Sequence, residues 1–432
     1  MKVKIEKLVF GGQGMGRVEE KVCFVWNALP DEEIEIEVIK NKTHYIEARV
    51  RKLLVTSHKR QQPLETHFLS CSPWQMMSLD SEREWKMRLS QEVWEKIARM
   101  PLPELVMAEN LEESIGYRNK MEYSFVDTPN GLNLAFFERN THRRQAIDCC
   151  VLAYPIINVV SQKILSLLRE HHFTAHSIKA VILRCNRKGD VICGLFIKDE
   201  TVPDALLESL SQLVREESSL KGIGVYYSTH KSPASVITKQ LAVFGTLELI
   251  EEIRGYFLHF GLESFFQINI PLFERVLEDI QTSLPPSSHA LDLYSGVGSI
   301  SIPLRHALLS CTLVESNQEA VNYAQKNISA NQLKNFQTRL SWAEHTLDMI
   351  QSHHIFFLDP PRIGLHTAVI DRVLSVQPER LFYLSCNLST QARDVQMLSE
   401  KYDIIFMKLY NFFPRTPHLE SLCVLKRKEP HT

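Results

Sequence analysis

From residue 263 onward, short apolar runs alternate with longer amphipathic stretches. Runs at 290–294, 311–314, 355–358, 381–384, 404–409 and 422–426 read as strands, with helical spacing at 272–280, from Gly298 to residue 308, from Gln318 and after Ser389. That alternation predicts a doubly wound parallel sheet, an α/β unit over 263–432. The opening stretch has another rhythm. Short strands at 3–10, 22–26, 33–38 and 48–55 are joined by Gly-rich or Pro-bearing turns. Glu33-Ile34-Glu35-Ile36-Glu37-Val38 alternates acidic and apolar, as a strand with one wet face does. A small OB-like β-barrel is predicted over 1–60. Between these lie a hairpin pattern (116–125 with 132–137), helices at 156–169 and 203–213, and strands at 180–184, 191–197, 222–228 and 240–244. They predict a central α+β domain over 93–262 and leave 61–92 as a linker.

Composition narrows the function classes. The chain of 432 residues is 44% hydrophobic, which supports a sizeable core, and its net charge is only −2. Binding to nucleic acid would therefore rely on local basic patches. Two stand out: Lys40, Lys42, Arg49, Arg51, Lys52, Lys59 and Arg60 around the barrel, and Arg139, His142, Arg143 and Arg144 beside the hairpin. Arg interleaved with aromatics suits RNA, since bases stack on rings while Arg takes phosphates. The start of the chain has no apolar segment of signal-peptide type, and no run reaches membrane-spanning length. A cytoplasmic, monomeric protein without membrane contact is expected, its nine cysteines reduced. Cys71 stands far from Cys149 and Cys150, so spacing alone argues against a metal site.

The candidate chemistry sits at strand ends in the last unit. Cys386 falls on a strand-to-helix turn, at the edge where open α/β sheets bind ligands. A thiol there can be a nucleophile, its pKa lowered by the helix N-terminus, while by itself Cys386 also reads as one more buried hydrophobe. Gly296-Val297-Gly298 lets backbone approach a ligand, and Glu315 follows where a ribose-binding carboxylate would stand. Asp292 suits an edge that holds S-adenosylmethionine, which carries positive charge on its amino and sulfonium groups. Asp359-Pro360-Pro361-Arg362 stiffens a strand exit where a planar base could lie. Glu420 opens the last strand, and a loop could bring it towards Cys386. From these residues alone, caps, a strand terminator and a surface carboxylate remain open readings.

Together these residues resemble the RNA (uracil-5-)-methyltransferase family, which makes 5-methyluridine in tRNA and bacterial 23S rRNA. The resemblance spans nearly the whole chain. Gly11 to Gly16 and Asn27-Ala28-Leu29-Pro30 are similar to the family's TRAM barrel, and Gly116-Tyr117-Arg118-Asn119-Lys120 to the start of its central RNA-binding domain. Further matches are Phe266-Gln267-Ile268-Asn269, Asp292 to Gly298, Asp359 to Gly364, Ser385-Cys386-Asn387 and Thr416 to Glu420. The resemblance implies a Rossmann-like S-adenosylmethionine-dependent methyltransferase domain, with Cys386 as nucleophile and Glu420 as proton acceptor. It implies cofactor contacts at Gln267, Tyr294, Glu315 and Asp359, beside Asp292, Gly296 and Gly298. Ser299 stands where the family usually has Asn. RNA is the implied partner, with 23S rRNA placed ahead of tRNA. Competing readings are an RNA base N-methyltransferase and a catalytically silent RNA-binding protein. Many members hold an iron–sulfur cluster on four Cys. Here those positions fall on Glu65, Cys71, Trp74 and Cys149, so a remnant motif and no cluster are expected.

Overall fold

In the computed structural model, every residue is described except 101–103, 111, 140, 230–234, 287 and 430–432. Strands β1 (Lys2–Leu8), β2 (Gly14–Val18), β3 (Lys21–Trp26), β4 (Glu33–Asn41) and β5 (Tyr45–Val55) close into a barrel in the order β1-β2-β3-β5-β4. Strand alternation turns Val3, Ile5, Ile34, Ile36, Ile46 and Ala48 into its core.

Residues 61–92, read as a linker, are in large part helical. After the single turn α1 (Phe68–Cys71) comes α2 (Leu79–Ile97), capped by Ser78, whose hydroxyl accepts the Ser81 N–H at 3.2 Å. The helix faces two partners. Trp85 and Leu89 pack with Leu8, Leu29 and Trp74, whereas Val93 and Trp94 join Leu381, Tyr383 and Leu388 further on. Two stripes facing different partners, diluted by charged residues, hide the helical period. Between them Lys86 is buried and donates to Glu82 Oε1 (2.7 Å), Asn411 Oδ1 (2.6 Å) and the Phe413 carbonyl (3.2 Å). Glu82 Oε2 in turn accepts the Arg415 N–H at 2.9 Å. The helix thereby grips the loop that leads to Glu420.

Then follow β6 (Met107–Ala108), β7 (Lys120–Thr128), β8 (Gly131–Phe137), β9 (Arg144–Ile147), α3 (Pro155–Glu170), β10 (Ile178–Cys185) and β11 (Val191–Ile197). Next are α4 (Asp204–Glu216), β12 (Leu220–Tyr227), β13 (Lys239–Gly245) and the hairpin β14 (Glu248–Ile253) with β15 (Tyr256–Gly261). A seven-stranded sheet runs β13-β12-β11-β10-β7-β8-β9. One face packs on α3 and α4, through residues such as Val181, Leu183, Leu195 and Val225. The other, with Ile182, Ile192 and Phe196, packs on Leu258, Phe260 and Phe266. Burial on both faces makes β10 and β11 nearly continuous apolar runs.

The last unit contains α5 (Ile270–Ser283), β16 (Ser288–Leu293), β17 (Leu308–Glu315), α6 (Gln318–Ala330), β18 (Phe336–Leu340), β19 (His354–Leu358) and α7 (Thr367–Val376). It ends with β20 (Arg380–Ser385), α8 (Leu388–Leu398), β21 (Tyr402–Tyr410) and β22 (Glu420–Arg427). The sheet order is β18-β17-β16-β19-β20-β22-β21-β6. It is not wholly parallel as expected, because β22 runs antiparallel to both neighbours. The loop from Asn411 to Leu419 is shorter than the dozen or so residues that a parallel crossover needs, so the chain turns straight back. The helix expected after Gly298 is also replaced, by turns and a 3-10 segment at Ile302–Ala307. Pro303 lacks an N–H to donate, and β17 already begins at Leu308. Among the described residues, no helix is long and apolar enough to cross a membrane.

Glu82→Ala should strand the buried Lys86 ammonium and cost about 3–5 kcal/mol in urea unfolding of the full chain. A loss below about 1 kcal/mol, typical of an exposed pair, would show that this contact does not anchor the loop.

Candidate active site

Four neighbouring parallel strands deliver functional groups to one edge. Glu315 ends β17, Asp292 lies in the penultimate position of β16, Asp359 follows β19 and Cys386 follows β20. β17 and β19 flank β16 on opposite sides, so the crevice at its end is the topological switch point. Strands lie about 4.8 Å apart, so the row from Glu315 to Cys386 spans roughly 14 Å.

Asp292 is 1% exposed, and among the described residues neither carboxylate oxygen has a partner in hydrogen-bond geometry. Burial pushes its pKa up to about 7; nearby Ser301 pulls the other way, and the Glu315 charge adds to the rise. Asp359 is likewise pushed up to about 7, by burial and then by Asp292. Gln267 Nε2 donates to Asp359 Oδ2 at 3.4 Å, and the Gln267 carbonyl accepts from Asn119 Nδ2 at 2.9 Å. Glu315 has a role that the sequence did not reveal. Its Oε2 accepts the Gly296 N–H (3.0 Å) and its Oε1 those of Ser316 (2.7 Å) and Asn317 (2.8 Å), so it pins the glycine turn. Tyr294, half-buried, enters that turn with a left-handed φ of 63°, and Ser299 is buried within it. Unpaired buried carboxylate oxygens beside a pinned glycine turn fit a ligand that carries positive charge and a ribose.

Arg184 escaped sequence analysis because it sits inside the apolar run of β10. Fully buried, it stacks 4.7 Å from the Phe260 ring centre and donates to the Gly261 carbonyl at 2.8 Å, with Ser264 as a further acceptor. It thereby buttresses the segment that ends at Gln267.

Cys386 is half-buried, between Ser385 and the α8 cap Asn387. Asn387 Oδ1 accepts the Ser389 N–H (3.1 Å), while its Nδ2 donates to the Arg362 carbonyl (2.8 Å). Thr390 Oγ1 (3.2 Å) donates to that carbonyl too, and Arg393 (2.9 Å) to the Ile363 carbonyl. The loop after Asp359 is thus docked on the start of α8. Gly364 is required there: its φ is +83°, and a Cβ would fall 2.5 Å from Asp394 Oδ2. The thiol does not behave as expected. Burial pushes its pKa up to about 11, with the Glu420 and Asp359 charges adding and Arg362 opposing. Part of the N-terminal field that would favour a thiolate is already taken by the Asn387 cap.

Glu420 is 6% exposed and opens β22. Ser385 pairs with Ser421, so Cys386 and Glu420 follow and precede that pair at the same end of the two antiparallel strands, and the Glu420 charge acts on the thiol. Burial and then Asp359 hold the Glu420 carboxyl well above the usual range, while Arg362 pulls it down. Cys386 opens on a cleft lined also by His418, Leu419 and, from the barrel, Phe10 and Gly11. Gly12 (φ +99°) packs so tightly that a Cβ would lie 2.8 Å from Pro417 Cγ, so the barrel's first turn abuts the segment before Glu420.

Basic residues gather next to this cleft. Arg118, Lys120, Arg139 and Arg362 line a cavity that shares Pro417 and His418 with it. A broader groove between the barrel and the β8–β9 hairpin is lined by Trp26, Arg49, Arg139, His142 and Arg143, with Arg139 stacked 4.4 Å from the Trp26 ring centre. The expected barrel patch is smaller than its composition implies. Arg60 is turned inward onto Glu32 (2.6 and 2.8 Å), Arg49 pairs with Glu37 and Lys59 with Glu84. Arg144 lies over Phe137 and donates to the Phe125 carbonyl.

A four-thiolate iron–sulfur cluster does not fit. Trp74 is fully buried, its indole N–H donating to the Gly12 carbonyl at 3.1 Å, and Glu65 offers a carboxylate. The residue facing Cys71 is Cys150, with the sulfurs 4.0 Å apart, and not the expected Cys149, which is exposed. The Cys150 N–H is fixed to Asn158 Oδ1 (3.1 Å), which turns Cys150 inward and its neighbour out.

Fold and site together define a methyltransferase of the Rossmann-like class carrying an N-terminal barrel. Residues 97–428 match the tRNA (Uracil-5-)-methyltransferase family and residues 1–50 the TRAM domain. The chain belongs to the tRNA (uracil-5-)-methyltransferase family and is an S-adenosylmethionine-dependent RNA methyltransferase. It is 26% identical to an uncharacterized RNA methyltransferase of Fusobacterium nucleatum, over 99% of this chain and 96% of the relative. A second, from Caldanaerobacter subterraneus, is 26% identical over 98% and 97%. In fold it is similar to the crystal structure of Pyrococcus abyssi tRNA (uracil-54, C5)-methyltransferase in complex with S-adenosyl-L-homocysteine. The TM-score is 0.77 at 21% identity, covering 98% of this chain and 100% of that one.

Asp292 and Asp359 have a pH consequence. Each is raised from 3.8 to about 7, so between those values the folded chain holds protons that the unfolded chain has released. Stability without ligand should therefore fall as pH rises through this window. A cationic ligand favours the ionised forms, so calorimetric affinity for S-adenosylmethionine should climb from pH ~5 to ~7 with proton release, then level off. Affinity independent of pH would exclude these carboxyls from its site.

Proposed function

We propose that this enzyme methylates C5 of a uridine in RNA through a transient bond between Cys386 and C6 of the base. The observation that supports this reading is the strand register that pairs Ser385 with Ser421, the neighbours of Cys386 and Glu420, with the Glu420 charge acting on the thiol. Uracil C5 is a weak nucleophile, and sulfur adding to C6 makes it enolate-like. S-adenosylmethionine supplies the electrophilic methyl group when bound. Asp292, Asp359 and Gln267 would hold it at the switch point, with Tyr294, Ser299, Glu315 and the turn at Gly296 and Gly298 shaping the rest of its seat.

Once C5 carries the methyl group, the C5 proton must leave before the C6–S bond can break. Glu420 takes that proton, the C5–H electrons restore the ring double bond, and Cys386 departs as the thiolate. A carboxyl with a raised pKa is a stronger base once ionised. Arg362 favours the ionised forms of both Cys386 and Glu420. C6 is hidden inside a helix, so the target base must be unpaired or turned out into the cleft. The cavity of Arg118, Lys120, Arg139 and Arg362 would hold its phosphates, with barrel and central domain flanking the RNA as a monomer. The RNA is 23S rRNA or tRNA; mapping 5-methyluridine in a strain that lacks the protein distinguishes them.

RNA containing 5-fluorouridine, which has no C5 proton to lose, should trap a denaturation-resistant adduct with the wild type and none with Cys386→Ala. An equal adduct yield from that variant would remove Cys386 from the reaction. Glu420→Gln should accumulate an adduct with ordinary RNA while turnover drops by about 10²–10⁴-fold. Normal turnover would place the proton acceptor elsewhere.

A further inference from the structure

Where Cys71 lines the basic cavity, four potential ligands converge that the methyl-transfer reading does not use. Glu65, His67, Cys71 and Cys150 bring one ligand atom each to within 4.8 Å of one another. We infer that they form a closed binding site for a single zinc-type divalent ion that joins the segment after the barrel to the seven-stranded sheet.

Three observations carry this. The first is metric. Bonds of about 2.3 Å to sulfur and about 2.0 Å to nitrogen and oxygen, at tetrahedral angles, require an S–S edge of about 3.8 Å and an N–O edge of about 3.3 Å. The sulfurs of Cys71 and Cys150 are 4.0 Å apart, and His67 Nε2 lies 3.3 Å from Glu65 Oε1. A four-iron cluster binds each thiolate to a different iron and needs its donors spread more widely. The second is the setting of His67. It is 6% exposed, and its Nε2 faces Glu65 Oε1 at 3.3 Å without hydrogen-bond geometry to any described residue, so the nitrogen is aimed into the space between the donors. A metal ion there would bind nitrogen, carboxylate and both sulfurs at once.

The third is the support around the donors. Glu65 is oriented by the Val151 N–H (2.6 Å) and by Gln75 Nε2 (3.1 Å). The same Gln75 nitrogen donates to Ser72 Oγ (2.6 Å), which lies 3.0 Å from Cys71 Sγ. Arg118 donates to the Cys71 carbonyl at 3.2 Å. Two thiolates and a carboxylate around a divalent ion leave one negative charge, and this guanidinium lies beside it. Such outer contacts orient metal ligands and hold their charge. The donor set of two sulfurs, one nitrogen and one oxygen selects zinc over magnesium or calcium, which take oxygen ligands.

All four positions of the tetrahedron are filled by protein, so the ion would be structural. It would fix Cys71 and Pro73, which line the basic cavity together with Arg118 and Arg362. The inference is independent of the proposed methyl transfer, because its readouts do not involve activity.

The test is metal analysis of the full-length protein purified without chelator, followed by Co²⁺ titration of the reduced, metal-stripped wild type. The expected result is one equivalent of zinc per chain. Cobalt should give the intense visible bands of a tetrahedral site and a thiolate-to-cobalt charge-transfer band. Cys149→Ser should leave both unchanged. Cys150→Ser should weaken cobalt binding by more than the ~10–100-fold typical of an outer-shell partner. The wild-type titration decides the matter even if that variant misfolds. Absence of cobalt uptake, a weak octahedral spectrum, or stoichiometric iron and sulfide would overturn the inference. So would a Cys71–Cys150 disulfide that takes up no metal after reduction.

Discussion

The site depends on one antiparallel strand set into a sheet whose other pairings, among its described strands, are parallel. Parallel strands all end at the same edge, so β16, β17, β19 and β20 carry their final residues there. A further parallel strand would begin at the opposite edge, a full strand length away. Because β22 runs against its neighbours, its first residue stands where β20 ends, and Glu420 arrives at the same end as Cys386. Hence a carboxylate and a thiol far apart in sequence need no long loop to meet. The loop from Asn411 to Leu419 must instead be held still, which the buried Glu82–Lys86 pair and the packing of Gly12 on Pro417 accomplish.

The same edge concentrates acidic groups whose ionisation burial disfavours. Asp292 and Glu420 are buried and Asp359 is half-buried, each raises the pKa of a neighbour, and Arg362 opposes the rise at Cys386 and Glu420. Desolvation makes such carboxyls costly to ionise until a cation arrives. In the proposed reaction, a cationic donor seated beside Asp359 would therefore shift the charge state of Cys386 and Glu420. The arrangement also explains why a helix N-terminus alone does not activate the thiol here.

Much of this was legible in the chain. Strand and helix alternation after residue 263, the turn at Gly296 and Gly298, and the exits at Asp359 and Cys386 follow from periodicity and residue chemistry. What was not legible depends on contacts distant in sequence. The α2 helix has two sparse apolar stripes because it serves two partners. Strand direction at β22 is set by loop length. Arg184 looks misplaced in an apolar strand until Phe260 and the carbonyls it satisfies are seen. At Cys149-Cys150 the family resemblance pointed one residue off, because only the fold tells which of two adjacent thiols faces inward. At Cys386 the sequence shows only the local helix geometry, whereas the burial and acidic neighbours that outweigh it come from the fold.

The most direct test is a crystal structure of the complex formed when the enzyme reacts with S-adenosylmethionine and a short RNA carrying 5-fluorouridine, with the S-adenosyl-L-homocysteine product retained. The account predicts continuous density from Cys386 Sγ to C6, the Glu420 carboxylate within hydrogen-bond reach of the substituents on C5, and the donor sulfur on the ring's other side over Asp359. A base seated in the cleft with Glu420 turned away, or joined to the protein through any other residue, would contradict it.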